Sequence, residues 1–267
     1  MAIPAETRGR SGQPDGRRVR RRSNRDRIIE TSLELFNEQG CQSVTTNSIA
    51  AKLGISPGNL YYHFANKEEI IRELWTQVEG FQLPIFAEFS EDPSLATPED
   101  WANGAFVVAI ESIWTFRFFF RDLDELAARD PIFAKAFRKD FTWAHERFYN
   151  ALEMLIASGN MRAPEQPDDL IVLANNVFLI TWNWIRFLSV IQGRSKISSR
   201  DVAQGGLHAF LVLDPYLERD FAARVRKVIE DRIERGGKSA TPSLSGSRNK
   251  TTLAKAAPAR ATRRSTG

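Results

Sequence analysis

Residues 55 to 69, ISPGNLYYHFANKEE, place a glycine, an asparagine, two tyrosines and a histidine in a stretch with two helix-start signals barely two turns apart. Gly58 lets backbone approach a surface closely, Asn59 carries a paired donor and acceptor suited to an adenine edge, and Tyr62 offers a flat apolar body with a polar tip. Such groups suit recognition of a surface. Elsewhere no nucleophile sits beside a base, and no carboxylate pair suggests a cleft, so the chain is not read as an enzyme. His63, His145 and His208 lie far apart and Cys41 is a single cysteine. No metal-ligand spacing or intrachain disulfide follows, and neither a metal nor a cofactor is expected.

The elements that must position these groups are helices. Every long segment repeats its apolar residues at helical spacing and none alternates as a half-buried strand does, so the fold class is all-α. A first helix over about 24 to 39 carries Ile29, Leu33 and Phe36 on one stripe and stops at Gly40. A second starts near Thr45 and runs through Ile49, Ala50 and Leu53 to Gly54; a third has Ser56 as its cap and Pro57 at its first position. Asn66 and Glu69 open a fourth, striped by Ile70, Ile71, Leu74, Trp75 and Val78, which Pro84 should kink or interrupt. Helices of two turns are not stable alone, so the second and third must pack on the first and fourth. At about 100° per residue, Leu60 and Phe64 share one face and can join Ile55, Ile49 and Phe36 in a core. Gly58, Asn59 and Tyr62 then point outward, as a reading helix of a helix-turn-helix would point into a DNA major groove.

The stretch VTTNSIAAKLGISPGNLYYHFANKEEIIRELW resembles the N-terminal DNA-binding domain of the TetR/AcrR family of bacterial transcriptional regulators. Its markers are Thr45-Thr46, Ile49-Ala50 followed by Leu53-Gly54, the run Leu60-Tyr61-Tyr62-His63-Phe64, and Asn66-Lys67-Glu68-Glu69; the likeness covers about residues 24 to 78. The resemblance implies a homodimeric regulator, most often a repressor, that leaves a double-stranded DNA operator when a small-molecule effector binds; the single Cys41 and the charged N-terminus without an apolar run lead to the expectation of a cytoplasmic protein. It also implies that Gly58, Asn59 and Tyr62 touch bases, while Tyr61, His63, Thr45, Thr46 and Lys67 hold phosphates or sugars. Asn47 stands where some members carry a longer basic residue that reaches a base. For Tyr61, His63 and Tyr62 the alternative is packing within the protein, Tyr61 and His63 against the fourth helix.

Charge divides the chain differently. Residues 1 to 27 carry +6 and residues 236 to 267 carry +7, against +4 for the whole, so the body between them carries −9. Basic ends on an acidic body suggest arms that meet a polyanion, or solvated tails. Arg17, Arg18, Arg20, Arg21 and Arg22 lead straight into the first helix and could follow the minor groove beside a half-site. The expected division is a basic arm over 1–23, a helix-turn-helix domain over 24–80, a helical effector-binding and dimerisation domain over 81–235, and a basic tail over 236–267.

In the larger half, helices are expected at roughly 98 to 120, 121 to 129, 131 to 158, 168 to 192, 199 to 213 and 216 to 235. Phe106, Ile110, Trp114 and Phe118 recur every four residues; Phe148 lies on the next long stripe with His145 near its edge; Asn175, Phe178, Trp182 and Arg186 share an arc. Either these residues are plain core, with Arg186 paired to Glu111 or Asp122, or they line an apolar cavity. In that cavity Asn175, Arg186 and His145 would orient a lipophilic or aromatic effector. Asn176, Ile180, Asn183 and Phe187, with Val202, Leu207, Phe210 and Leu211, could pair with their copies across a two-fold axis. Residues 171 to 191 could span a bilayer by length, but Asn175, Asn176, Asn183 and Arg186 are costly in lipid, so a buried helix and no membrane partner are expected. An architectural DNA binder without an effector, or an activator, would use the same domain.

Overall fold

The computed structural model describes residues 23–91, 97–166 and 168–235, with side chains outside 80–91. The arm bearing Arg17, Arg18, Arg20, Arg21 and Arg22 and the tail from residue 236 lie outside the described residues. Eleven α-helices follow one another among the described residues. They are α1 (Asn24–Gln39), α2 (Thr46–Leu53), α3 (Pro57–His63), α4 (Lys67–Glu91), α5 (Pro98–Ala102), α6 (Val108–Thr115), α7 (Arg117–Arg129), α8 (Pro131–Ala157), α9 (Asp169–Arg186), α10 (Ser199–Leu213) and α11 (Arg219–Glu234). The all-α class therefore holds, with an isolated bridge from Met161 to Leu217.

Each short N-terminal helix is fixed by its ends. Thr45 and Ser48 exchange side-chain and backbone bonds in a capping box at the start of α2. Gly54 ends it in the left-handed region at φ 67°, which a β-carbon would disfavour. Ser56 Oγ accepts from the Asn59 amide and Pro57 takes the first position of α3. Asn66 Oδ1 accepts from the Glu69 amide at 2.9 Å, while the Glu69 carboxylate reaches back to the Ala65 amide.

Three expected boundaries shift. The fourth helix runs from Lys67 to Glu91 through Pro84, since a proline forfeits one amide bond and the turns on either side persist. The expected helix over 98 to 120 is instead α5, a π-helical turn (Asn103–Val107) and α6, broken at Phe116. Phe116, Phe118, Phe119 and Phe120 are all buried, and four nearly consecutive rings cannot share one face of an unbroken helix. Finally, α11 starts at Arg219 rather than 216, after a 3-10 turn (Asp214–Tyr216), where the Glu218 carboxylate accepts from the Phe221 amide.

The aromatic residues knit the body together. The indole of Trp75 on α4 meets the rings of Phe119, Phe133 and Phe137, so the helix that follows the two short ones is anchored in the larger half. A second cluster joins Trp101, Phe106, Phe210 and Phe221. Between them α10 lies very close to its neighbours. A β-carbon on Gly205 would stand 2.5 Å from Trp184 Cγ, and one on Gly206 2.3 Å from Ile110 Cδ1. Helix α9 with its terminal π-helical turn (Phe187–Ile191) is long and apolar enough to cross a bilayer; Leu173, Ala174, Val177, Phe178 and Ile185 are buried inside the bundle, but Val172, Leu179, Val190 and Ile191 are exposed, so the expected buried helix is buried on one face only.

Candidate nucleic-acid interface

Leu60 and Phe64 are fully buried, and each fully hidden large side chain is worth about 1.5–3 kcal/mol relative to exposure. The opposite edge of α3 is open: Gly58 and Asn59 are exposed and Tyr62 is 85% exposed. Its ring stands edge-on to His63 with centroids 5.2 Å apart. Asn59 Oδ1 is approached by the Asn24 amide at 3.5 Å, a loose contact that a base edge could replace. Thr45 and Asn47 are exposed, and the Thr46 hydroxyl lies 3.1 Å from the Tyr61 hydroxyl, tying the start of α2 to α3. Seven of the nine expected contact residues in this domain, Thr45, Thr46, Asn47, Gly58, Asn59, Tyr61 and Tyr62, thus have open access or lie at its edge. His63 is half-buried. Lys67 turns inward: its Nζ donates to the carbonyls of Cys41 at 2.6 Å and Val44 at 3.0 Å, leaving one N–H for a phosphate.

Two ion pairs brace α4, one within this unit and one to the start of α8. The Arg25 guanidinium meets the Glu73 carboxylate through two bonds of 2.6 and 3.1 Å and covers the Phe64 ring at 4.6 Å, binding α1 to α4 over the end of α3. Arg72 donates to Asp130 at 2.6 Å. Asp130 also caps α8 by accepting from the Ile132 and Phe133 amides. Burial opposes its charge, but Arg72 and these amides prevail and keep its carboxyl below the usual range.

A joint between the domains, not expected from the sequence, forms where α6 breaks. The Asn37 side chain donates to the Thr115 carbonyl at 2.9 Å and accepts from the Phe118 amide at 3.1 Å, so one amide of α1 satisfies both sides of the break. Arg121 donates to the Phe36 and Asn37 carbonyls, and Asp122 accepts from the Cys41 amide at 2.9 Å. A polar Asn-Glu-Gln run before Gly40 is a weak signal for such a role, because any helix end can carry one. The thiol of Cys41 is buried here and its pKa is pushed upward by desolvation.

The residues expected to line an effector cavity separate. His145, Phe148, Phe178 and Trp182 are brought together with Phe141 between α8 and α9. Phe106 belongs to the Trp101 cluster, and Ile110 packs beside Gly206. Trp114 is half-buried under the Arg117 guanidinium at 4.4 Å. The break at Phe116 puts Phe118 on α7 against Phe36 of the reading domain, away from the His145 group. Asn175 is exposed. Arg186 pairs with Asp124 at 3.0 Å rather than with either expected acid, since Glu111 faces Arg232 and Asp122 faces Arg121. Of the side chains expected at a two-fold interface, Val202 and Phe210 are spent in the core. Phe187 and Leu211 are exposed, joined by Leu179, Val190 and Ile191.

Two short helices joined at Gly54, braced by α1 and α4 on a helical body, define a helix-turn-helix regulator. A family model described as "Bacterial regulatory proteins, tetR family" matches residues 28–74, and one described as "Bacterial transcriptional repressor" matches residues 92–225. The chain belongs to the TetR family. It is 36% identical over 92 residues to the HTH-type transcriptional repressor KstR2 of Mycobacterium tuberculosis, covering 34% of this chain and 44% of that relative's length. It is 40% identical over 71 residues to the class D tetracycline repressor protein of Escherichia coli, covering 25% of this chain and 33% of that protein. A TetR-family transcriptional regulator of Marinobacter aquaeolei VT8 superposes with a TM-score of 0.69 at 31% identity, covering 79% of this chain and 99% of that one.

Proposed function

We propose that the protein is a homodimeric, sequence-specific DNA-binding repressor of transcription, acting in the cytoplasm without a cofactor and leaving a palindromic operator when a small effector binds. The observation that carries this reading is the two-sidedness of α3, with Leu60 and Phe64 sealed inside while Gly58, Asn59 and Tyr62 face water. Such an edge supports direct readout in the major groove, with Thr45, Thr46, Tyr61, His63 and the remaining N–H of Lys67 on the backbone and Asn47 beside them. The arginines from 17 to 22 serve as a minor-groove arm. The exposed apolar residues Leu179, Phe187, Val190, Ile191 and Leu211 favour self-association through α9 and α10. Two copies related by a dyad would set their reading helices one DNA turn, about 34–36 Å, apart.

We take the effector to bind among His145, Phe148, Phe178 and Trp182. His145 Nε2 is buried without a hydrogen-bond partner, which suits a ligand carrying one polar group on an apolar or aromatic frame. An effector acts only by its difference in affinity between the DNA-bound and free geometries. Selection of genomic fragments with the purified protein tests the reading. The expected product is a pseudo-palindrome with half-sites one helical turn or a multiple apart, bound by about 10³-fold or more over random duplex. Equal affinity for every duplex would overturn it.

A further inference from the structure

Asn59 stands on the open edge of α3 with its backbone fixed, since its backbone amide donates to Ser56 Oγ at 3.2 Å and to the Ser56 carbonyl at 3.0 Å. What stays open is the side-chain amide, whose oxygen and nitrogen exchange places by rotation about the last torsion. A chain of contacts from α1 selects one of the two orientations. The Arg27 guanidinium donates to the Leu53 carbonyl at the end of α2 at 3.4 Å and to Asn24 Oδ1 at 3.2 Å. Asn24 Nδ2 in turn approaches Asn59 Oδ1 at 3.5 Å. Direction is set at the first link. A guanidinium can only donate, so Asn24 meets it with oxygen and turns its N–H groups toward α3, where Asn59 answers with oxygen. The two side-chain N–H groups of Asn59 and one lone pair of its oxygen stay free for another partner.

We propose that Arg27 and Asn24 are positioning residues for base recognition: they set the amide of Asn59 in one of its two orientations before DNA is met, so that α1 helps decide which base pair α3 prefers. An amide presents a donor and an acceptor side by side, and the major-groove edge of adenine presents the complementary pair, N7 as acceptor and the N6 amino group as donor. Turned over in the same pose, the amide sets oxygen against N7 and N–H against the amino group, and both contacts become repulsive. An amide free to turn discriminates less. The contact at Asn59 is long and single, so the effect is on the scale of one net hydrogen bond, about 2- to 12-fold in base preference.

The inference rests on the reading of α3 proposed above, and an Asn59→Ala control separates the two. Full-length protein is titrated with the duplex recovered by selection and with three further duplexes that carry the other base pairs at the position where Asn59→Ala relaxes preference. Asn24→Ala frees the amide, and preference at that pair should narrow by about 2- to 12-fold while preference elsewhere in the half-site holds. Asn24→Asp reverses the polarity. A carboxylate only accepts, so it draws the N–H groups of Asn59 toward α1 and turns its oxygen away, and the favoured base pair should change. An aspartate at the first position of α1 suits the positive end of a helix, so this variant is expected to fold. Its added charge lowers binding to all four duplexes alike and leaves their ranking to report the orientation. If Asn24 only braced α1, both variants would lower all four affinities in parallel, which would overturn the proposal; an unchanged ranking in Asn24→Asp would do the same. If Asn59→Ala leaves preference intact at every pair, the reading of α3 itself fails, and the positioning of Asn59 falls with it.

Discussion

Burial sets Asn59 and Cys41 apart. Asn59 lies on the exposed edge of α3 with only the 3.5 Å approach of Asn24 to orient it. Cys41 is 3% exposed, beside the loop that Asp122 and Lys67 hold by its backbone. Since the thiolate is the reactive form and burial disfavours it, Cys41 should resist iodoacetamide in the folded protein and react readily in denaturant; fast labelling without denaturant, followed by mass spectrometry, would contradict that. The exposed edge itself was legible because Leu60 and Phe64, four residues apart, fix which side is in. Lys67 was less so. A lysine stem reaches several partners, and its two carbonyl acceptors lie more than twenty residues earlier in the chain.

At the scale of elements, helix type and most caps followed from local residues: Thr45, Ser56 with Pro57, and Asn66 each sit where their side chains satisfy free amides. The break at Phe116 was not legible because apolar spacing continues across it, and the residue that accommodates it, Asn37, is 78 positions from Thr115 in sequence. Asn37→Ala should cost about 1–3 kcal/mol in urea unfolding, since it leaves the Thr115 carbonyl and Phe118 amide unpaired in a part-buried site. An unchanged midpoint would mean that water serves as well. Asp130 joins an N-cap to an ion pair, and Asp130→Ala should lose about 1–3 kcal/mol at neutral pH, allowing for the partial exposure of Arg72. Its carboxyl sits below the ordinary 3.8, so the charge contributes stability above that value that vanishes as pH falls through the lower folded-state value. The deficit of the variant should therefore shrink in acid; a constant deficit would assign it to packing.

For the whole molecule, the central question is what the exposed faces meet. Leu179 is 61% exposed and Ile191 73%, an arrangement that a monomer would keep at the risk of non-specific association. Leu179→Glu should shift sedimentation toward the monomer and weaken operator binding together; a monomeric wild type would refute pairing through this face. The two ends of the sequence are basic and the stretch between them is acidic, so attraction to phosphate is strongest in the charge of the ends. Attraction of that kind is blind to sequence, and under the proposed function base preference comes from α3. The most direct test compares wild type and Asn59→Ala on the selected duplex and on random duplex of equal length at one salt concentration. If the outer edge of α3 reads bases, the substitution should cost about 1–3 kcal/mol on the selected duplex, 5- to 150-fold, with random binding nearly unchanged. Equal losses on both duplexes, or no loss on either, would contradict it.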